Sequence, residues 1–312
     1  METVLVTGGA GFIGSHLVER LVAEGFAVRV LDDLSSGRPA NLAGVRGRID
    51  FREGDIRDPA ALRPAVSGCS RVFHLAAVVS VQQTIRDPAG SAAVNETGAL
   101  QVLEAAREAG VRRLVFASSS AVYGDDPRLP LREDLPPRPR SPYAVQKLAV
   151  EHYLAVYRDL FGLSTASLRF FNVFGPRQDP SSPYSGVISI FFTRALAGEA
   201  PVIYGDGLQT RDFVYVADVV EALLLAARSR DCGVFNVGTG REVDILSLWR
   251  HIAALTGCPR APQHLPPRPG DIRRSVAAVG EAASRLNFSA RIRFEEGLAR
   301  TLAWYRRRSN EA

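Results

Sequence analysis

The chain has 312 residues, of which 46% are apolar, enough to bury a sizeable core in one large unit or two intimate ones. Its net charge of +5 comes from dispersed basic residues, arginine far outnumbering lysine, with no basic block interleaved with aromatics; this argues against nucleic acid and for an anionic small molecule. No run approaches the ~20 apolar residues of a membrane span, nothing resembles a secretory leader, and Cys69, Cys232 and Cys258 are too scattered for a disulfide frame or a metal site, so a cytoplasmic protein is expected.

The first element is a β-rich run, "TVLVTG", that turns at once into "TGGAGFIGSHL". Three glycines, Gly8, Gly11 and Gly14, recur at intervals of three between this strand and an amphipathic helix, "HLVERLVAEG", which closes on Gly25. In that context the glycines have distinct uses. Gly8 permits the tight turn, Gly11 lets the backbone approach a pyrophosphate, and Gly14 lets the helix pack close to the sheet. The helix N-terminus then offers unpaired N–H groups and a partial positive charge to phosphate. The second strand, "AVRVLDD", ends on Asp32, about 20 residues after the glycines, where a carboxylate accepts from a ribose 2′-hydroxyl and repels a 2′-phosphate. NAD is therefore expected over NADP, and Asp33 is a second candidate for the ribose. A third strand, "RIDFREGD", leads to Asp55, which meets the adenine edge or simply caps a turn.

"RVFHLAA" is the next strand, and "TGALQVLEAAREAG" a helix ended by Gly110. "RRLVFASSS" is a strand running into Ser118, Ser119 and Ser120 at the carboxyl edge of the sheet, where ligands bind in such folds. A proline-rich loop then precedes "SPYAVQKLA", which holds Tyr143 and Lys147 four apart on one helical face. Tyrosine is a poor base at its free pKa of ~10. A nearby ammonium and a cationic nicotinamide ring would favour the phenolate, and Tyr143 could then draw a proton from a sugar hydroxyl. His74 and the two tryptophans, Trp249 and Trp304, read as core.

Strand and helix alternating in this way predict an α/β fold: a doubly wound, Rossmann-type parallel sheet with a smaller α/β lobe. The nucleotide-binding part is expected over 1–171, with 212–237 returning to the sheet. The smaller lobe is expected over 172–211 and 238–312, with helices at "VISIFFTRALAGEA" and "DILSLWRHIAALTG".

Taken together, "TGGAGFIGSHL", "HLAA", "SSSAVYG" and "YAVQK" resemble the extended short-chain dehydrogenase/reductase family, and within it the nucleotide-sugar 4-epimerases. The resemblance runs on through "RFFNVFGPRQ", "YGDGLQTRDFVYVADVV", "FNVGTG" and "RPGD" and so spans essentially the whole chain. It implies that Gly8, Gly11, Phe12 and Ile13, with Gly14, line the pyrophosphate, and that Asp32 with the loop Leu34, Ser35, Ser36 and Gly37 holds the adenosine ribose. It implies further that Asp55 and Ile56 flank adenine, and that Leu75, Ala76, Ala77, Asn95, Ser118 and Phe170 line the coenzyme trough. In the family the catalytic hydroxyl lies four residues before a motif tyrosine. Tyr123 matches that tyrosine, which selects Ser119, to act with Tyr143 and Lys147; Lys147 would also bond the nicotinamide ribose. Ser119, Ser120, Tyr143, Asn172, Val187, Tyr204, Arg211, Arg268 and Asp271 are the implied sugar-nucleotide contacts. Arg211 and Arg268 would clamp the diphosphate, which suits arginine's planar fork.

The implied activity is a reversible inversion at C4 of a UDP-sugar through a 4-keto intermediate, with UDP-glucose and UDP-galactose the first candidates and N-acetylglucosamine or glucuronate conjugates the alternatives. The implied assembly is a homodimer formed through the helices at 97–109 and 144–160. The rival within the fold is a 4,6-dehydratase or decarboxylase. Those resemble this chain but carry an acidic residue after the catalytic hydroxyl, where Ser120 and Ala121 stand here. A further rival is a non-catalytic NAD-binding protein, against which an intact Ser119, Tyr143 and Lys147 argue.

Overall fold

The computed structural model describes residues 2–179, 186–267 and 272–311. Its first half runs β1 (Thr3–Thr7), α1 (Phe12–Ala23), β2 (Ala27–Asp32), β3 (Ile49–Glu53), α2 (Pro59–Val66), β4 (Arg71–His74), α3 (Val81–Arg86), α4 (Pro88–Ala92), α5 (Ala99–Glu108), β5 (Arg113–Ser119), α6 (Pro142–Phe161) and β6 (Ser164–Phe170). Then follow β7 (Asn172–Phe174), α7 (Val187–Leu196), β8 (Val202–Tyr204), β9 (Thr210–Arg211), β10 (Phe213–Tyr215), α8 (Val216–Arg228), β11 (Gly233–Val237), β12 (Val243–Asp244), α9 (Ile245–Thr256), β13 (Gln263–Leu265), α10 (Gly280–Leu286) and α11 (Phe294–Glu311).

Seven parallel strands form one sheet in the order β11-β6-β5-β4-β1-β2-β3. Its centre is apolar on both faces because both are covered by helices: Val4, Leu5 and Val6 of β1 are fully buried. One core layer joins β1 and β2 to Leu17, Val18 and Leu21 of α1 and to α8. The other joins Leu5 and Val72 to Val102 and Leu103 of α5 and to Val150 and Leu154 of α6. Strand order reverses between β1 and β4, which opens a crevice at their carboxyl ends.

Helix α6, which carries Tyr143 and Lys147, is bounded by local signals. Ser141 accepts from the Ala144 N–H at 3.2 Å, Pro142 occupies the first turn, and Gly162 ends the helix in the left-handed region.

A second apolar cluster, built on Phe174, Phe191, Phe192, Trp249, Ile252 and Leu298, lies beyond the sheet, and Phe12 and Ile13 of α1 pack against it. Trp249 is buried and Trp304 packs on the same cluster, as core residues do. The segment from 212 onward departs in part from expectation. Only α8 and β11 return to the large sheet, whereas β10 pairs with β7 in a two-stranded sheet of its own. Three residues are too short to cross the large sheet, and the Phe213 and Tyr215 rings instead fill the second cluster.

Candidate active site

The turn after β1 is built for close approach. Gly8 sits at φ +70°, and a Cβ on Gly14 would fall 2.1 Å from the Gly8 carbonyl oxygen, so no other residue lets α1 start here. The helix begins at Gly11 with no side chain capping its first N–H groups. Asp32 closes the adjoining side. It is buried, and its carboxylate accepts from the Ala10 N–H at 2.8 Å and the Leu34 N–H at 2.9 Å. Burial raises its pKa, and these two donors work against the rise. On the β4 side, Thr7 Oγ1 meets His74 Nδ1 at 2.8 Å and accepts from the Leu75 and Ala76 N–H groups at 3.3 Å, which draws the 75–77 turn against Gly8. His74 is thus a satisfied core histidine, and burial holds its pKa down near 3.

At the carboxyl end of β5, the Ser119 hydroxyl lies beside the Tyr143 phenol, close enough to counter part of the rise that burial gives its pKa. Lys147, one turn along α6, is buried and donates from Nζ to the Ala117 carbonyl at 2.9 Å. Its ammonium lies 5.8 Å from the Tyr143 ring centroid and 4.7 Å from that of Phe116. Lys147 is also the single lysine of the sequence. A chain that uses arginine at every other basic position keeps here a compact cation able to titrate. Burial brings its pKa down to about 7.

Ser119, Tyr143, Lys147, the glycine turn and Asp32 therefore share the carboxyl end of one sheet. The pattern matches the family model described as NAD dependent epimerase/dehydratase over residues 4–238. The chain belongs to the NAD-dependent epimerase/dehydratase family. It is 44% identical over 315 aligned positions to the UDP-glucose 4-epimerase of Mycolicibacterium smegmatis, covering 98% of this chain and 99% of that one. Among solved structures it is similar to the Thermotoga maritima UDP-glucose 4-epimerase with UDP-glucose, at TM-score 0.95 and 40% identity, covering 98% of this chain and 99% of that one. It is also similar to the Thermus thermophilus UDP-glucose 4-epimerase complexed with NAD, at TM-score 0.89 and 42% identity, covering 97% and 99%.

The cofactor of the epimerase/dehydratase family is NAD, and this chain's residues fit it. A Cβ at Gly11 would meet only the Gly8 carbonyl oxygen within 4 Å, at 3.2 Å, which leaves an open cradle over an uncapped helix N-terminus. The Asp32 oxygens keep lone pairs for a ribose hydroxyl beyond the two N–H groups they already accept.

Several residues that the resemblance implied also have partners within the chain. Asp33 is exposed and accepts from its own turn, from the Ser35 N–H at 3.0 Å and the Ser35 hydroxyl at 2.6 Å, so Asp32 alone faces the glycine turn. Leu34, at φ +58°, pays the backbone strain of that turn; Ser36 is exposed and Gly37 is packed against the Asp32 carboxylate. Asp55 is a turn carboxylate paired with Arg57 at 2.6 Å, and Ile56 is buried. Asn95 is buried, with its amide committed to both backbone groups of Val78 and to Gln146, so it ties the turn after β4 to α6. Ser118 turns away from the crevice to donate to Glu151 at 2.5 Å. Phe170 is buried in the sheet core. Phe12 and Ile13 offer the crevice their backbone, since their side chains pack on the second cluster.

On the sugar side, Asn172, Val187, Tyr204 and Ser120 are half-buried. Arg211 donates to the Thr210 and Ile272 carbonyls at 2.8 and 2.7 Å. Arg268 and Asp271 lie outside the described residues. Among the described residues no group of three His, Cys, Asp or Glu is placed to hold a metal, and no helix is long and apolar enough to cross a membrane.

Two organising residues escaped the sequence reading. Asp212, fully buried, accepts from the Thr239 N–H and hydroxyl, the Gly240 N–H and the Ala277 N–H at 2.6 to 3.1 Å. It anchors β10 next to Arg211, and its only signal was adjacency to that arginine. Glu151 binds Arg169 and Ser118 beneath the catalytic strand, and its signal was its place four residues after Lys147.

Proposed function

We propose that this protein is an isomerase that inverts C4 of a UDP-sugar, UDP-glucose and UDP-galactose first, with NAD as its resident cofactor. The observation that carries the reading is the Ser119 hydroxyl set beside the Tyr143 phenol with a buried Lys147 one helical turn away, at the edge of a crevice whose other wall is the glycine turn. The similarity of the whole chain to enzymes named UDP-glucose 4-epimerase supports the choice of substrate.

NAD, held by the glycine turn and Asp32, would supply hydride exchange at C4, a redox capacity no side chain here supplies. Tyr143 Oη takes the 4-hydroxyl proton, with Ser119 sharing it, and gives it back once the sugar has turned its other face. With Lys147 placed beside the Tyr143 ring to bond the nicotinamide ribose, the phenolate would be favoured by a cationic nicotinamide ring. Arg211 and Arg268 hold the diphosphate while the sugar turns. Ser120 and Ala121 follow Ser119 without a carboxylate, which favours inversion over elimination or decarboxylation.

The same reading divides the chain into a coenzyme lobe, 1–171 with 212–237, and a sugar-nucleotide lobe, 172–211 with 238–312. It also makes the protein a cytoplasmic homodimer. In support, Val145, Tyr153, Val156, Leu160 and Phe161 of α6 are 40% to 71% exposed, an apolar stripe that a second copy would cover, and all three cysteines are free thiols.

The test is incubation of the purified protein with UDP-glucose, UDP-N-acetylglucosamine and UDP-glucuronate, with products identified by NMR. UDP-galactose from the first supports the reading. Exclusive use of another sugar corrects the substrate, and loss of the 6-hydroxyl or of carbon dioxide replaces the epimerase with a lyase.

A further inference from the structure

Tyr143, Lys147 and Glu151 lie at four-residue intervals on one face of α6. Glu151 is buried behind Lys147 and its carboxylate is fully engaged. Oε1 accepts from the Ser118 hydroxyl at 2.5 Å and from Arg169 Nε at 3.0 Å, and Oε2 accepts from Arg169 Nη2 at 2.7 Å. Both partners of the ion pair are only 4% exposed. Arg169 sits on β6 in register with Ser118 on β5, and its guanidinium lies 4.6 Å from the centroid of the Tyr123 ring, in the turn that follows Ser119. The pair therefore joins α6, β5 and β6 directly under the three residues proposed for proton transfer.

We infer that Glu151 is a positioning residue whose charge, balanced by Arg169, fixes how firmly Lys147 holds its proton and where the Ser118–Ser119 strand end lies against Tyr143. The role in turnover rests on the function proposed above; the effect on Lys147 does not. A hydrophobic pair of the same volume would hold α6 to the sheet with no desolvation cost, so a buried ion pair here is poorly explained by stability alone. Its charges matter where a third buried charge sits one helical turn away. The Glu151 carboxylate opposes the loss of the Lys147 proton that burial drives; Arg169, bonded to that carboxylate, carries the opposite charge on its far side and on this inference limits the support. The other titratable or charged groups on the elements packed about α6 do not reproduce this balance. Tyr143 and His74 are neutral near pH 7. Arg113 lies at the opposite end of β5, and Glu104 of α5 is taken up by Tyr157 and Arg107. Glu96, on the turn between α4 and α5, has its pKa raised by burial.

A chain with one lysine gives one lysine side-chain signal. Protein labelled with ¹³C at lysine Cε is titrated by NMR as parent, Glu151→Gln, Arg169→Gln and the double variant. The expected result is a Lys147 midpoint displaced down by about one pH unit in Glu151→Gln, up by a similar amount in Arg169→Gln, and back toward the parent in the double variant. Opposite signs are the signature, because simple loosening of the site would admit water and raise the midpoint in every variant. A common upward shift, or no shift, overturns the inference. Should Glu151→Gln fail to fold, the Arg169→Gln and double variants still carry the comparison. In a parent that epimerises UDP-glucose, Glu151→Gln should lose kcat on the order of tenfold with KM nearly unchanged, and its alkaline limb should move with the Lys147 midpoint. A parent without turnover refutes the proposed function and leaves the NMR comparison standing.

Discussion

The Asp32 carboxylate accepts from the Ala10 N–H at 2.8 Å, so the end of β2 is clasped to the glycine turn after β1. One side chain thereby shapes the phosphate turn and presents its remaining lone pairs to a ribose. Asp32→Ala should weaken NAD by ~1.5–3 kcal/mol, the scale of a lost charged hydrogen bond, and should narrow the preference against NADP. Calorimetric titration of NAD-stripped protein with both dinucleotides measures this. Unchanged NAD affinity would remove Asp32 from the ribose site.

Gly14 is constrained by backbone rather than by a yielding side chain, since its missing Cβ would lie 2.1 Å from the Gly8 oxygen and 2.8 Å from the Gly9 Cα. Gly14→Ala should therefore cost about 2–3 kcal/mol of stability by overpacking and abolish retention of NAD through purification. Urea unfolding and the absorbance of released dinucleotide read the two effects. A variant as stable as the parent would mean that α1 can shift away from β1.

What the sequence made legible was whatever local spacing encodes. The glycine interval, the offset to Asp32 and the four-residue step from Tyr143 to Lys147 are each set by one turn or one helix, and each is found where the spacing put it. What it hid depends on partners brought from other elements. Nothing local foretells that both Asn95 amide hydrogens and one lone pair of its oxygen go to Val78 and Gln146. Ser118 and Ser119 are told apart in the sequence only by the resemblance, through the four-residue step to Tyr123. The alternation of a strand sends one to Glu151 and the other to Tyr143. The Arg57 partner of Asp55 was equally hidden, because it is a surface residue with no motif to mark it.

The phenol of Tyr143 is pushed up to about 12 by burial, which the neighbouring Ser119 hydroxyl partly opposes. The expectation that Lys147 would depress it is not met by the protein alone, since the ammonium stands 5.8 Å from the ring and is itself weakened by burial. A cationic ring in the crevice should favour the phenolate. The ultraviolet phenolate difference between the parent and Tyr143→Phe should thus rise at lower pH with NAD bound than without it. Tyr143→Phe should also lose turnover on the order of 100-fold or more while keeping NAD. Equal titration in both states, or near-normal turnover, would strip Tyr143 of the role of base.

The α6 stripe offers a separate test of assembly. Leu160 is 71% exposed and Val156 45%, one helical turn apart, and neither belongs to the catalytic cluster. If the chain dimerises through this stripe as proposed, Val156→Glu combined with Leu160→Glu should sediment as a monomer while leaving the melting of the monomer fold intact. An unchanged sedimentation coefficient would show that copies of this chain meet elsewhere or not at all.

Lys147 also makes stability depend on pH in a direction that can be worked out. Its pKa is about 7 in the folded chain because burial disfavours the ammonium, against ~10.4 when unfolded. Between these values the unfolded chain binds the extra proton, so this group makes folding more favourable as pH rises from about 7 toward 10. Below pH 7 both states are protonated and the contribution is flat. Lys147→Met, of similar length and without a charge, lacks this dependence. The difference in melting temperature between parent and Lys147→Met should therefore move in the parent's favour across that window, with effects of every other group cancelling in the subtraction. A difference that stays level, or moves in the variant's favour, would mean that the ammonium keeps its ordinary pKa, and with it the charge at Lys147 would be independent of the burial described above.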